Sequence, residues 1–195
     1  MSHHAPSFRR PRELPTTTPP VEGRRGLLRR GLELGAVAGL GGLVWWQVTD
    51  LPGPSRLPPI AYPLIDGRRL ETASLRGRPV LVNFWATSCG PCVAEMPALA
   101  ALYRDYRPRG LELLAVAMPY DRPDHVLQFA STRELSFPVA LDPTGEAVRA
   151  WGGVKVTPST WLAGPTGRIE RFWLGIPDFA EVRRAIDGLL PARQA

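Results

Sequence analysis

With 195 residues, 24 basic and 18 acidic side chains and a formal charge of +6, the chain has room for one domain and an appendage but not for two full domains. The excess charge is no binding face: seven arginines (positions 9, 10, 12, 24, 25, 29 and 30) and two acids (Glu13 and Glu22) fall in residues 1–30, which leaves the remainder close to neutral and excludes a basic nucleic-acid surface. Two cysteines exclude a disulfide framework and a four-cysteine zinc site, and His3 and His4 in the tail with His125 standing alone make no metal-ligand set.

Residues 1–30 are rich in proline and arginine and nearly free of large apolar side chains, so they read as a disordered basic tail. Residues 31–51 contain an uncharged apolar run, 34–46, flanked by the arginines. Thirteen apolar residues fit the h-region of a signal peptide; counted from Leu32 to Leu51 the segment approaches the about 20 residues of a spanning helix. No small-x-small cleavage site follows, and Trp45 and Trp46 stand where an interfacial aromatic belt falls, which favours an uncleaved anchor. Arg24-Arg25 also resembles a twin-arginine export signal, although basic residues that stop and orient the segment account for it as well. Arginine on the N-terminal side predicts a cytoplasmic tail and a following domain on the other side of a bacterial inner membrane, facing the periplasm or cell exterior. Residues 52–59, with four prolines among them, read as a stiff tether.

The domain proper is expected over 60–195. Residues 61–78 alternate weakly around a turn at Asp66-Gly67 and predict an N-terminal hairpin. The run Val80, Leu81, Val82, Phe84, Trp85 is that of a strand buried on both faces, and Val93, Met96, Leu99, Ala100 and Leu102 recur at helical spacing. Cys89 and Cys92 therefore fall at a strand-to-helix junction, where unpaired backbone N–H groups and the helix dipole stabilise a thiolate. Ser88 is the expected N-cap, with Pro91 in the first turn. A bridge across two intervening residues closes too short a loop to serve as a staple, so the pair reads as redox chemistry. Further on, 111–117 predicts a second buried parallel strand, 123–135 a helix with Val126, Leu127, Phe129 and Ala130 inward, 137–141 a short strand, 145–151 a short helix, 159–162 and 169–174 a hairpin, and 179–190 a closing amphipathic helix.

The segment FWATSCGPC, its continuation Val93-Ala94-Glu95-Met96-Pro97, PVALDPTGEAVRAW at 138–151 and VTPSTWL at 156–162 resemble the membrane-anchored TlpA and ResA type of thioredoxin-like thiol-disulfide oxidoreductase. The resemblance implies an α/β thioredoxin fold, a central mixed sheet flanked by helices, with the N-terminal hairpin and a helical insert as additions. It implies Cys89 as nucleophile and Cys92 as resolving thiol, a cis peptide bond at Thr157-Pro158, and a docking surface formed by Trp85, Gly90, Pro91 and Thr157. It also implies no cofactor beyond the Cys89–Cys92 disulfide. Where many thioredoxins carry a buried aspartate, six residues before the first cysteine, this chain has Asn83, which cannot take a proton. Relatives of this type use an acid in the insert, which points to Asp121 as the group assisting Cys92, with Asp124 next in line; Glu95 is expected to be an exposed helix acid. Ser88 stands where a tryptophan commonly precedes the first cysteine, a change to the docking surface.

The implied activity is reduction of client disulfides, such as those of apocytochrome c or copper-site proteins, with a membrane thiol protein as electron donor. A rival from another class is a metallochaperone-like module that binds Cu(I) through the two thiolates. Pro91 and the helix, which set the pair for exchange, and the lack of a methionine cluster count against it. A peroxidase is weaker still, since Thr87 and Cys89 do not meet the Thr-x-x-Cys spacing of peroxiredoxins.

Overall fold

The computed structural model describes residues 53–190. The expectations for the tail and the apolar segment lie outside the described residues, and no helix among the described residues is long and apolar enough to cross a membrane.

The centre of the fold is the pair of strands the sequence makes apolar on both faces. Strand β3 (Val80–Trp85) is buried along its whole length, and β4 (Glu112–Ala117) lies beside it in parallel register, Val80 opposite Glu112 and Trp85 opposite Ala117. A parallel neighbour requires a crossover, which helix α1 (Gly90–Tyr106) supplies. Strand β5 (Val139–Leu141) adds in parallel to β4; β6 (Ser159–Ala163) and β7 (Ile169–Leu174) add antiparallel on the other side, giving the order β5-β4-β3-β6-β7. The mixed sheet is the expected one.

Both faces are covered. On one face α1, the insert helix α2 (Pro123–Thr132) and the closing helix α4 (Phe179–Asp187) pack on Leu81, Trp85, Leu113 and Leu162. On the other, an aromatic cluster fills the layer: Phe84 meets Trp151 and Trp161 edge to face at 5.8 and 5.6 Å, and Trp161 lies 4.7 Å from Phe172. Helix α3 (Glu146–Ala150) closes this side, its first amides satisfied by the buried Asp142, whose carboxylate accepts from Ala147 N and Val148 N at 3.1 and 2.9 Å.

The N-terminal hairpin, β1 (Ala61–Pro63) and β2 (Arg69–Glu71), turns at Gly67, whose φ of 83° suits glycine. It does not join the main sheet as a strand. A bridge from Leu64 to Ala140 and a bond from Ile65 N to Val139 O lay it along β5, which shields that sheet edge. Tyr62 ties the hairpin to the aromatic layer by accepting from Trp151 Nε1 at 2.8 Å, and burial pushes its phenol up to about 12.

One expected packing is corrected. In α2, Val126 and Ala130 face inward four residues apart, whereas Leu127 is one step round the helix and 44 % exposed. Helix α1 stops at Tyr106 and continues as a 3-10 turn, Arg107–Arg109, which Gly110 ends at φ 100°.

Candidate active site

Strand β3 ends at Trp85, and a tight turn closed by Cys89 N to Ala86 O (3.1 Å) brings the chain into α1. The helix cap is Cys89, not Ser88: its backbone is extended and its Sγ accepts from Cys92 N at 3.3 Å, while Ser88 is exposed. The sulfur thus takes the place that a serine or aspartate oxygen takes at other helix starts. Pro91, in the first turn, has no N–H to leave unpaired.

Cys89 and Cys92 are joined as a disulfide with their Cα atoms 5.2 Å apart. Their environments differ. Cys92 is 0 % exposed and Cys89 half-exposed, so an incoming thiol or disulfide reaches Cys89 alone. Thr157-Pro158, immediately before β6, is cis, and the Thr157 carbonyl oxygen lies 3.6 Å from Cys89 Sγ. Gly90 and Pro91 are exposed, and a Cβ at Gly90 would meet nothing within 4 Å. One end of the sheet therefore gathers Cys89, Cys92, Gly90, Pro91, Thr157 and Pro158. Trp85 does not share that surface: it is 0 % exposed, 5.1 Å from the Phe129 ring, and supports the site from beneath. Its burial follows from its place on a strand that is covered on both faces.

Asp121 stands at the same end, half-buried, where β4 leaves the sheet. Oδ1 accepts from Thr87 Oγ1 and Oδ2 from Thr87 N, both at 2.6 Å. Met118 N to Trp85 O and Asp121 N to Met118 O, each 2.9 Å, fasten the turn after β4 to the end of β3. Both oxygens of Asp121 are thus directed at the loop that carries Cys89. Asp124 is exposed and paired with Arg122, whose guanidinium holds its carboxyl below the usual range.

The acid packed within the fold is Glu95. It is 2 % exposed, against the expectation of an exposed helix acid, and lies one turn after Cys92 on the same face of α1. Glu95 Oε1 accepts from Asn83 Nδ2 at 2.7 Å, and the same amide nitrogen donates to Thr160 Oγ1 at 2.9 Å. Glu95 Oε2 and Asn83 Oδ1 have no hydrogen-bond partner among the described residues. Burial therefore pushes the carboxyl up from 4.5 to about 7, opposed in part by the Asn83 hydrogen bond. The sequence did carry the signal: Cys92, Glu95, Met96, Leu99, Leu102, Tyr103 and Tyr106 form the buried stripe of α1, and Glu95 sits inside that stripe.

A thioredoxin fold with one sulfur open and one sealed defines a class of thiol-disulfide exchange proteins. The chain belongs to the AhpC/TSA family, whose model matches residues 55–172, and with it to the ResA type of thioredoxin-like thiol-disulfide oxidoreductase. It is 30 % identical to thiol-disulfide oxidoreductase ResA of Bacillus subtilis over 156 residues, 78 % of this chain and 86 % of that one. It is 38 % identical to the ResA of Oceanobacillus iheyensis over 112 residues, 57 % of each chain. The chain thus spans little more than half the length of that relative. Among solved structures, thiol:disulfide interchange protein DsbE from Chlorobium tepidum superposes with a TM-score of 0.65 at 26 % identity, covering 72 % of this chain and 99 % of that one.

Proposed function

We propose that the chain is a protein-disulfide reductase acting outside the cytoplasm, and the observation that carries this reading is the unequal access of the two sulfurs. In the reduced state the Cys89 thiolate, held at the start of α1 by Cys92 N–H, attacks one sulfur of a client disulfide. A mixed disulfide forms and the client's other sulfur leaves as thiolate. Cys92 then gives up its proton and attacks Cys89 Sγ; the mixed disulfide breaks, the second client thiol is released, and two electrons have passed to the client. The chain ends as the Cys89–Cys92 disulfide seen here, which a dithiol donor must reduce before the next turn.

Glu95, raised to about 7 and one turn from Cys92, is the group suited to take the Cys92 proton. The direction of the reaction rests on Gly90 and Pro91, which place no charge beside Cys89. Thiol proteins of this fold range from about −270 mV for thioredoxin to about −120 mV for the oxidant DsbA, whose reduced form is specially stabilised. With only the helix start to stabilise its thiolate, this site belongs below about −180 mV. The arginine excess before residues 31–51 supports an anchored protein with this domain on the far side of a membrane. Proteins with paired cysteines, such as apocytochrome c or copper-site proteins, are the clients and a membrane thiol protein the donor that the family resemblance supports.

The test is a trap. Cys92→Ser leaves Cys89 able to attack and unable to be released, so covalent adducts accumulate, whereas Cys89→Ser yields none. Equal trapping by both variants would reverse the assignment of the two sulfurs.

A further inference from the structure

Beside the cis-proline loop, on the sheet face opposite α1, lies a groove of about 320 Å³. Its walls are Trp151, Val154, Val156, Phe172 and Leu174, and Lys155 stands at its rim. The groove is continuous with the redox site. Val156 adjoins Thr157, whose carbonyl faces Cys89 Sγ, and Gly175 N, one residue past Leu174, donates to Pro158 O at 2.8 Å. Of the five large apolar side chains exposed among the described residues, three stand around this loop: Val156 at 53 %, Leu174 at 61 % and Ile176 at 52 %. Such clustering at one end of the fold is unlike the scatter of ordinary surface apolar residues.

The groove is built into the core. Its aromatic walls are fixed by the Trp151–Trp161 and Trp161–Phe172 contacts at 5.1 and 4.7 Å and by the Trp151 bond to Tyr62. Gly152, at φ 84°, admits no side chain, because a Cβ there would come within 2.9 Å of Gly53 Cα. The charge has one sign. Lys155 is the only lysine among the chain's 24 basic residues, it is exposed without an ion-pair partner among the described residues, and no carboxylate lines the groove.

We propose that this groove seats the client polypeptide beside its reactive cysteine, taking one large apolar side chain with a carboxylate next to it at Lys155. The inference rests on the reductase reading and adds a client preference to it. A strand advances about 3.3 Å per residue, so with the client cysteine at Cys89 the apolar residue falls two or three positions away.

The test uses the reduced full-length chain and two synthetic peptides, each holding one cysteine as its mixed disulfide with glutathione. One carries Leu and Glu at two and three positions on either side of the cysteine; the other carries Ser and Lys there. Rates are referred to the same protein's rate with glutathione disulfide. The first peptide is expected to react about tenfold faster. Lys155→Glu and Leu174→Ser should each shrink that ratio, the first through the loss of the contact to Glu and the second through the loss of the contact to Leu. Equal rates for the two peptides, with glutathione disulfide still reduced, would overturn the groove and leave the reductase reading standing. Failure to reduce any of the three substrates would overturn both.

Discussion

Asp121 bonds to the loop that carries Cys89 and Glu95 lies one turn after Cys92, and the fold treats the two acids in opposite ways. Asp121 lies half in solvent with each oxygen accepting a bond from Thr87. Glu95 is sealed under the site with one oxygen bonded to Asn83 and the other without a donor among the described residues. A carboxylate with both oxygens already taken by donors is fixed in place and serves best as an anchor for the loop that supplies them. One buried beside a single neutral donor is balanced near neutrality, which proton transfer requires. The comparison separates position from chemistry: its contacts suit Asp121 to placing the attacking sulfur, and burial suits Glu95 to serving the resolving one.

The largest effect should come from Glu95→Gln, which keeps the shape and removes the basic form. Resolution by Cys92 should slow by about a hundredfold, read by rapid quench as mixed disulfide that persists. The pH profile carries a sign. With its carboxyl at about 7, Glu95 is protonated below that pH and cannot accept, so resolution in the parent protein falls as pH drops through 7. Glu95→Gln should lack that inflection, and Asp121→Asn should keep it. Loss of the inflection in Asp121→Asn instead would return the proton-acceptor role to Asp121, as the family resemblance implied.

The same carboxyl predicts a smaller effect on stability. Its pKa in the folded protein, about 7, lies above the ordinary 4.5, so the folded state holds the proton that the unfolded state loses between these values. Stability is complete below about 4.5 and is lost as pH rises through the folded value, on the order of 3 kcal/mol in all. Urea unfolding at pH 5 and pH 8 should show the parent weaker at pH 8 and Glu95→Gln nearly level. A parent that is equally stable at both would mean that Glu95 is already ionised in the fold.

Much of this was legible in the sequence, and the exceptions have physical causes. Strand β3 and the cysteine junction were readable because a run apolar on both faces followed by helical periodicity has few other solutions. Thr157-Pro158 was found through resemblance alone, since its sequence neighbours do not force a cis bond. Local pattern makes Glu95 an exposed acid because acids on helices usually are; its phase within the buried stripe is the signal against that. The family resemblance points to Asp121, yet its partner Thr87 lies 34 residues away on another strand end, a contact fixed by the β3–β4 register and invisible to local pattern. The groove at Trp151 and Leu174 was likewise beyond reach, since it joins the loop before β6 to the end of β7.

The smallest expected effect is also the one that tests the positional half of the comparison. Thr87→Val removes the hydroxyl that Asp121 Oδ1 accepts from and leaves the backbone bond to Oδ2 in place. A hydrogen bond to a charged group contributes about 1.5–3 kcal/mol when it is buried, and this one is partly exposed, so the loss should lie at or below the lower end. The turn from Ala86 to Cys89 would remain closed by its own bond, but it would be held to the end of β4 by one contact fewer. Attack by Cys89 on a small disulfide should therefore slow a few-fold while resolution by Cys92, which draws on Glu95 from inside, keeps its rate and its inflection near pH 7. Thr87→Ser, which restores the hydroxyl, should recover the attack rate. If Thr87→Val slowed both steps equally and serine failed to restore either, the clamp would be a general support of the fold and not a device for placing the nucleophile.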